Sequence, residues 1–393
     1  MEPLPVTAYT LSTAIGQGTA SSLAALQSGT SGLRPCDYED ARLDTWIGRV
    51  AGLEATSLPA EWQPYDCRNN RLAFQGLRND GFSDRVIKAR AHHGPERVGL
   101  FLGTSTSGIR ETEHLIQSQG DGPLPADYHY RETHNLVSLV EFVAGILGLS
   151  GPAFTISTAC SSSAKVFATA YRYIQAGLCD AAVVGGVDSL CLTTLYGFNA
   201  LELVAPHPCK PWDRYREGLN IGEGAAFALL ERGPAPAGTP VLLGYGESSD
   251  GYHISTPHPE GRGAIGAMRD ALERAGIQGR DLDYVNLHGT ATPSNDRSED
   301  TAVRSLIPTA VPCSSTKGWT GHTLGAAGAI EAVVSLLALE SGFVPGTLNH
   351  EHPDPELGLP VLPQGRQADP ATVLSNSFGF GGSNCSLVFG GTA

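Results

Sequence analysis

The chain is 393 residues long, with 26 Lys and Arg against 40 Asp and Glu and a formal net charge of −14. With 41% apolar and 17% charged residues it is too apolar for disorder, and its acidity argues against general nucleic-acid binding. Apolar runs such as Ala332–Leu339 fall short of the ~18 residues of a membrane span, and no basic-then-apolar leader opens the sequence, so a cytoplasmic protein is expected.

From the N-terminus, Val6–Gly16 reads as a strand, followed by Val98–Gly103 and Ala153–Thr158. Cys160 follows in a turn of small residues, then a helix over Ser161–Ala176 closed by Gly177. Strands are expected at Ala181–Gly186 and Ala225–Glu231, a helix at Arg262–Ala275, and a strand at Tyr284–His288. A helix over Ala326–Glu340 ends near Gly342, and strands at Val373–Asn376 and Asn384–Phe389 finish the chain. Strands alternating with helices predict an α/β protein with helices on the sheet faces.

Four elements recur in order. Val98-Gly-Leu-Phe-Leu-Gly-Thr-Ser-Thr matches Tyr284-Val-Asn-Leu-His-Gly-Thr-Ala-Thr, and the turn after Ile156 matches that after Ser314. Val183-Val-Gly-Gly-Val-Asp-Ser matches Val373-Leu-Ser-Asn-Ser-Phe-Gly, and Ala226–Glu231 matches Cys385–Gly390. The chain therefore reads as two related halves, 1–232 and 233–393, meeting near residues 233–238. No long polar linker separates them, so a site between them is expected.

Cys160, at a helix N-terminus, is placed where the dipole and free N–H groups favour a thiolate and an oxyanion. His288 ends a buried strand, where open α/β sheets hold ligands. Lys317, His322 and Glu331 lie along a glycine-rich loop and the helix after it, and Phe380 lies in the loop Asn376-Ser-Phe-Gly-Phe-Gly-Gly-Ser-Asn. Singly, each reads equally as a packed turn. The eight cysteines contain no C-x-x-C pair and suggest neither a metal site nor a disulfide framework.

In combination, Thr158-Ala-Cys-Ser-Ser-Ser, His288-Gly-Thr-Ala-Thr-Pro-Ser-Asn-Asp, Lys317-Gly-Trp-Thr-Gly-His and the final loop resemble the elongating β-ketoacyl-acyl-carrier-protein synthases of the thiolase superfamily. Lys210-Pro-Trp-Asp and Tyr252-His-Ile-Ser-Thr-Pro resemble further segments of that family. The resemblance implies a duplicated thiolase-like five-layer α-β-α-β-α fold. It implies decarboxylative Claisen condensation of an acyl group held on Cys160 with malonyl-acyl-carrier protein, giving β-ketoacyl-acyl-carrier protein and CO₂. In that role His288 and His322 are the paired histidines, Lys317 and Glu331 support them, and Phe380 is the gate whose N–H joins that of Cys160 in the oxyanion hole. Thr290 and Thr292 would hold the pantetheine arm, Asp296 would be structural, and no cofactor beyond carrier-bound phosphopantetheine is implied.

The implied partners are an acidic acyl-carrier protein and a second subunit, identical or ketosynthase-like. Residues 68–97 hold seven Arg and Lys against three acids, so Arg68, Arg71 and Arg78 are expected to form a carrier-docking face. Departures from the family pattern, such as Ala291 where Ser is common, leave room for specialised lipid or polyene synthesis beside fatty-acid synthesis. A thiolase would need a second cysteine in the final loop, which reads Gly379-Phe-Gly-Gly, and a chain-length subunit would lack Cys160. Gly261-Arg-Gly-Ala-Ile-Gly follows no strand, so a dinucleotide site is not expected, and no G-x-S-x-G elbow occurs.

Overall fold

The computed structural model describes all residues except 121, 126, 127, 235, 392 and 393, so Ala235 of the expected junction lies outside the described residues. The first half contributes β1 (Leu4–Thr13), β2 (Val98–Gly103), β3 (Ala153–Ile156), β4 (Ala181–Asp188) and β5 (Gly224–Glu231). The second contributes β6 (Pro240–Ser249), β7 (Tyr284–Asn286), β8 (Cys313–Ser314), β9 (Thr372–Gly379) and β10 (Ser383–Gly391). Their lateral order is β8-β7-β9-β10-β6-β1-β5-β4-β2-β3. Reading outward from the centre, the order 1-5-4-2-3 becomes 6-10-9-7-8, so each strand of the first half has its counterpart five places on. The directions repeat too: β2 is parallel to β3 and β4, and β7 to β8 and β9. The halves join through β1 and β6, paired antiparallel at Leu4–Leu242 and Pro5–Val241.

Helices complete five layers. Outside the first half lie α1 (Arg68–Leu77), α2 (Phe82–His93) and α3 (Val137–Leu147), whose apolar faces meet β2, β4 and β5 around Phe82, Leu100, Phe142 and Phe227. Between the halves run α4 (Ser162–Gln175) and, later in the chain, a buried Ala-rich helix at Ala327–Ser341. Short α5 (Leu192–Ala200) follows β4, and α6 (Arg262–Ala275) and α7 (Pro293–Leu306) cover the outside of the second half. The Ala327–Ser341 helix is α8. It packs on β5 of one half and β9 of the other, which is why it carries no polar face.

The Leu324–Ser341 stretch is long and apolar enough to cross a membrane, against the sequence expectation, yet it is 83% buried between the sheets and behaves as a core helix. Small residues allow this central layer to close. A Cβ on Gly186 would lie 2.4 Å from the Ser163 Cβ, and one on Gly328 would lie 2.6 Å from the Ala164 nitrogen. The C-terminal ends of β2, β4, β7 and β9 therefore converge on the starts of α4 and α8, and Cys160, His288 and His322 sit there.

Candidate active site

The β3–α4 connection makes a tight corner: Ala159 takes φ 51° and α4 starts only at Ser162. Cys160 is thus held just before the helix, 5% exposed. The expectation of a favoured thiolate needs correction. Burial dominates and pushes the Cys160 thiol up to about 12, against the lowering pull of Lys317 and the Phe380 N–H. The sulphur rests as a thiol, with His322 Nε2 2.9 Å from Sγ.

His322 is fixed by its backbone, which donates to Asn220 O at 2.7 Å and accepts from Gly222 N at 3.0 Å. Burial first, then Lys317, holds the imidazole well below its ordinary pKa, so the ring is neutral and able to accept a proton. His288 is likewise held well below the ordinary value by burial, Lys317 and His322. The two rings stand nearly edge to face, centroids 5.4 Å apart. One ligand atom from each of Cys160, His288 and His322 lies within 4.8 Å of the others.

Behind them lies Lys317, 1% exposed. Its Nζ donates to Glu331 Oε1 and to His288 O, and lies 3.4 Å from His288 Nδ1. Three ammonium hydrogens meet three acceptors. Because Nδ1 faces a donor, the His288 proton sits on Nε2. Burial pushes the Glu331 carboxyl up to about 7, and Lys317 pulls it down. Lys317 thus contacts His288 and Glu331 and reaches Cys160 only through its charge.

Cys160, His288, His322, Thr290, Thr292 and Phe380 line one cavity. The Phe380 N–H reaches the Cys160 sulphur, and its ring stacks on Phe198 of α5 at 5.5 Å between centroids. Thr290 and Thr292 hydroxyls bond each other at 2.9 Å on the cavity wall. Between them Ala291 takes φ 66°, steadied by its N–H to Asp296 Oδ1 at 3.2 Å. Asp296 also accepts from Trp212 N and faces Arg216, which is a structural post away from the reacting groups.

Two carboxylates were missed at the sequence level. Glu299 of α7 accepts the His288 and Gly289 N–H groups, each at 2.8 Å, and fixes the turn that carries His288. Asp188 accepts from Thr104, Ser105 and Thr106 and from Gly325 N, tying the first half to the entry of α8. The one available signal for Glu299 was its position a helical turn beyond Asp296; an acid on a helix ordinarily faces water.

The docking expectation fails for Arg68. It is 4% exposed, donates to both Glu223 oxygens at 2.7 and 2.8 Å and to Glu54 at 2.9 Å, and lies over the Tyr38 ring. Arg71 is committed to Asp66, and Arg78, past the end of α1, packs on Phe74. The three do not form one charged face, because α1 turns its Arg68 side into the core. Arg68→Ala strands the buried Glu223 charge and is expected to cost roughly 3–5 kcal/mol in denaturant unfolding. Unchanged stability, with a higher KM only for carrier-bound substrate, would restore the docking role.

With this geometry in place, the chain matches two known domain families: Beta-ketoacyl synthase, N-terminal domain, over residues 69–235, and Beta-ketoacyl synthase, C-terminal domain, over residues 240–351. It is 31% identical to a 3-oxoacyl-[acyl-carrier-protein] synthase 2 of Vibrio cholerae, over 98% of both chains. A Synechocystis protein of the same name is 33% identical over 75% of both. Among solved structures, the ketosynthase ApeO in complex with its chain length factor ApeC, from Xenorhabdus doucetiae, gives TM-score 0.90 at 38% identity, covering 99% of this chain and 98% of the other. The ishigamide ketosynthase/chain length factor gives 0.89 at 26%, covering 100% and 99%.

Proposed function

The chain belongs to the β-ketoacyl synthase family, and from that premise we propose how its residues carry the condensation. The carrying observation is the Cys160 thiol lying 2.9 Å from a neutral His322 and under the Phe380 N–H at the cavity floor. His322 Nε2 takes the thiol proton as the sulphur attacks the acyl thioester carbonyl, and returns it to the departing pantetheine thiol. The Cys160 and Phe380 N–H groups hold the oxyanion, and the acyl group stays on Cys160.

Malonyl thioester then enters along Thr290 and Thr292. Loss of CO₂ places negative charge on its thioester oxygen, which the Nε2–H of the buried His288 meets. Once the sulphur is acylated it no longer donates to His322 Nε2. His322 Nδ1 is without a hydrogen-bond partner among the described residues, which leaves the ring able to carry its proton on Nε2 and give a second donor. The carbanion attacks the acyl carbonyl, the Cys160 thiolate leaves, and it takes up from solvent the one proton that the overall condensation consumes. These steps need no metal or cofactor beyond the pantetheine.

The partner assignment is a carrier protein for delivery and a second ketosynthase-like subunit for assembly. The match to a ketosynthase solved with its chain length factor supports the heteromeric form. The edge strand β3, whose Phe154 is 45% exposed beside β2, offers a surface to a second subunit of either kind. Eight unpaired cysteines fit a reducing cytoplasm. The finer reading is specialised synthesis with an unsaturated chain, supported by Phe198, Phe378 and Phe380 lining the cavity as flat walls. Intact-mass measurement after incubation with carrier proteins bearing saturated and polyunsaturated chains tests it. Faster loading of the unsaturated chain on Cys160 is expected; preference for saturated chains of every length would return the protein to fatty-acid synthesis.

A further inference from the structure

Cys160, His288 and His322 also make up the donor set of a zinc site. One ligand atom from each lies within 4.8 Å of the other two, and the residues are buried, at 5%, 1% and 1% exposure. Zn–S and Zn–N bonds of about 2.3 and 2.1 Å place tetrahedral ligand atoms about 3.3–3.6 Å apart. The 2.9 Å from His322 Nε2 to Sγ and the 4.8 Å limit bracket that range, so side-chain rotation is enough to seat an ion. The cavity in front leaves the fourth position open to water. The three residues stand at positions 160, 288 and 322, so no ligand-spacing motif marks them in the sequence.

Two of the donors are ready for a metal. His322 Nε2 already offers its lone pair to the sulphur, and the thiol becomes a ligand by giving up its proton. His288 is not ready. Its Nδ1 lies 3.4 Å from Lys317 Nζ, which keeps the ring proton on Nε2, the nitrogen left for the cavity. Coordination there needs that proton on Nδ1 instead, opposite an ammonium with no lone pair to accept it. Lys317 is 1% exposed and tied to Glu331 Oε1 and His288 O, so it does not swing aside. Its charge opposes a cation as well.

We propose that Cys160, His288 and His322 form a latent site for a thiophilic divalent cation, Zn²⁺ above all, and that Lys317 keeps it shut by withholding His288 Nε2. Binding is an exchange. The ion forms bonds to Sγ and to Nε2 of each histidine, the thiol proton passes to solvent, and the His288 ring proton shifts from Nε2 to Nδ1. No electron is transferred. An ion seated there occupies the sulphur, so acyl loading stops until a chelator removes it. Lys317 therefore protects the thiol from metals in addition to ordering His288.

The test titrates Co²⁺, which colours a tetrahedral thiolate site, and then Zn²⁺ as its competitor, into the unaltered protein, Lys317→Met, and the double variant Lys317→Met, Glu331→Gln. The double variant removes both members of the buried ion pair, and it serves if Lys317→Met, with Glu331 left unpaired, does not fold. The sulphur-to-cobalt absorption band is expected to saturate in the variants at a cation concentration about 10–100-fold lower than in the unaltered protein. That is the scale on which the outer partner of a metal-binding histidine acts. Cys160→Ala in the same background should abolish the band, and His288→Ala should bring the affinity back toward that of the unaltered protein. Zn²⁺ should shield Cys160 from alkylation over the same range, read by peptide mass, and EDTA should lift the shield. Equal affinity in the unaltered protein and the folded Lys317 variants overturns the proposal. So does the absence of the band from every folded Lys317 variant, or a band that survives Cys160→Ala. None of these readings uses an acyl substrate, so failure of the condensing reading would show separately, as absent loading in metal-free protein.

Discussion

Cys160→Ala should abolish acyl loading and, with it, condensation, a fall on the order of 10⁶-fold, the scale on which removal of a catalytic nucleophile acts. No second sulphur stands in for it. The other cysteines lining the core, such as Cys209 and Cys313, are buried away from the cavity that holds Cys160. The fold should survive, since the change removes one sulphur atom from a turn whose shape is set by Ser161 and Ser162 hydroxyls bonded to Thr158 and Ala159 carbonyls. Intact mass after incubation with acyl-carrier protein reads the result directly, with a thermal melt as the control. An acyl adduct on the variant at the normal rate would remove Cys160 from the mechanism.

The segments that carry local patterns were legible. Val98–Gly103 and Arg262–Ala275 form with the expected ends, and the four-part repeat found along the chain reappears as the 1-5-4-2-3 and 6-10-9-7-8 strand orders. β6 was passed over because it starts at Pro240 and ends in Gly-Tyr-Gly-Glu-Ser-Ser, a run that reads as a turn until pairing with β10 and cover from α6 are present. The charge reading of residues 68–97 failed for a related reason. A tally along the chain cannot see that Arg68 finds Glu223, 155 positions away, and is drawn into the core by it. Glu299 and Asp188 escaped similarly, because their partners are backbone N–H groups that exist only once the turns have formed.

The two halves also show how one motif serves two ends. In the first half, Gly-Thr-x-Thr spends the Thr104 and Thr106 hydroxyls on Asp188, at 2.7 and 2.9 Å. In the second, the Thr290 and Thr292 side chains bond each other, at 2.9 Å, and face the cavity. The same strand end is therefore a structural clamp in one copy and a cavity wall in the other. Sequence similarity marks the pair, and only the partner of each hydroxyl separates their uses.

The proposed mechanism gives the two histidines different work, and this produces the second large effect. His288→Ala removes the N–H that meets the enolate and is expected to lower malonyl decarboxylation and condensation by about 10²–10³-fold. Loading should persist within a few-fold, because His322, not His288, lies 2.9 Å from the Cys160 sulphur. His322→Ala should lose loading as well, having removed the acceptor of the thiol proton. Both rings are held neutral by burial and by Lys317, so no histidine protonation step should appear in the rate between pH 6.5 and 8; the falling depressed pKa values place that step lower. Single-turnover loading, followed by mass, and release of CO₂ from malonyl-carrier substrate separate the two steps. Loss of loading in His288→Ala with decarboxylation intact would reverse the roles, and it would mean that the Lys317 contact at Nδ1 does not decide which nitrogen carries the proton.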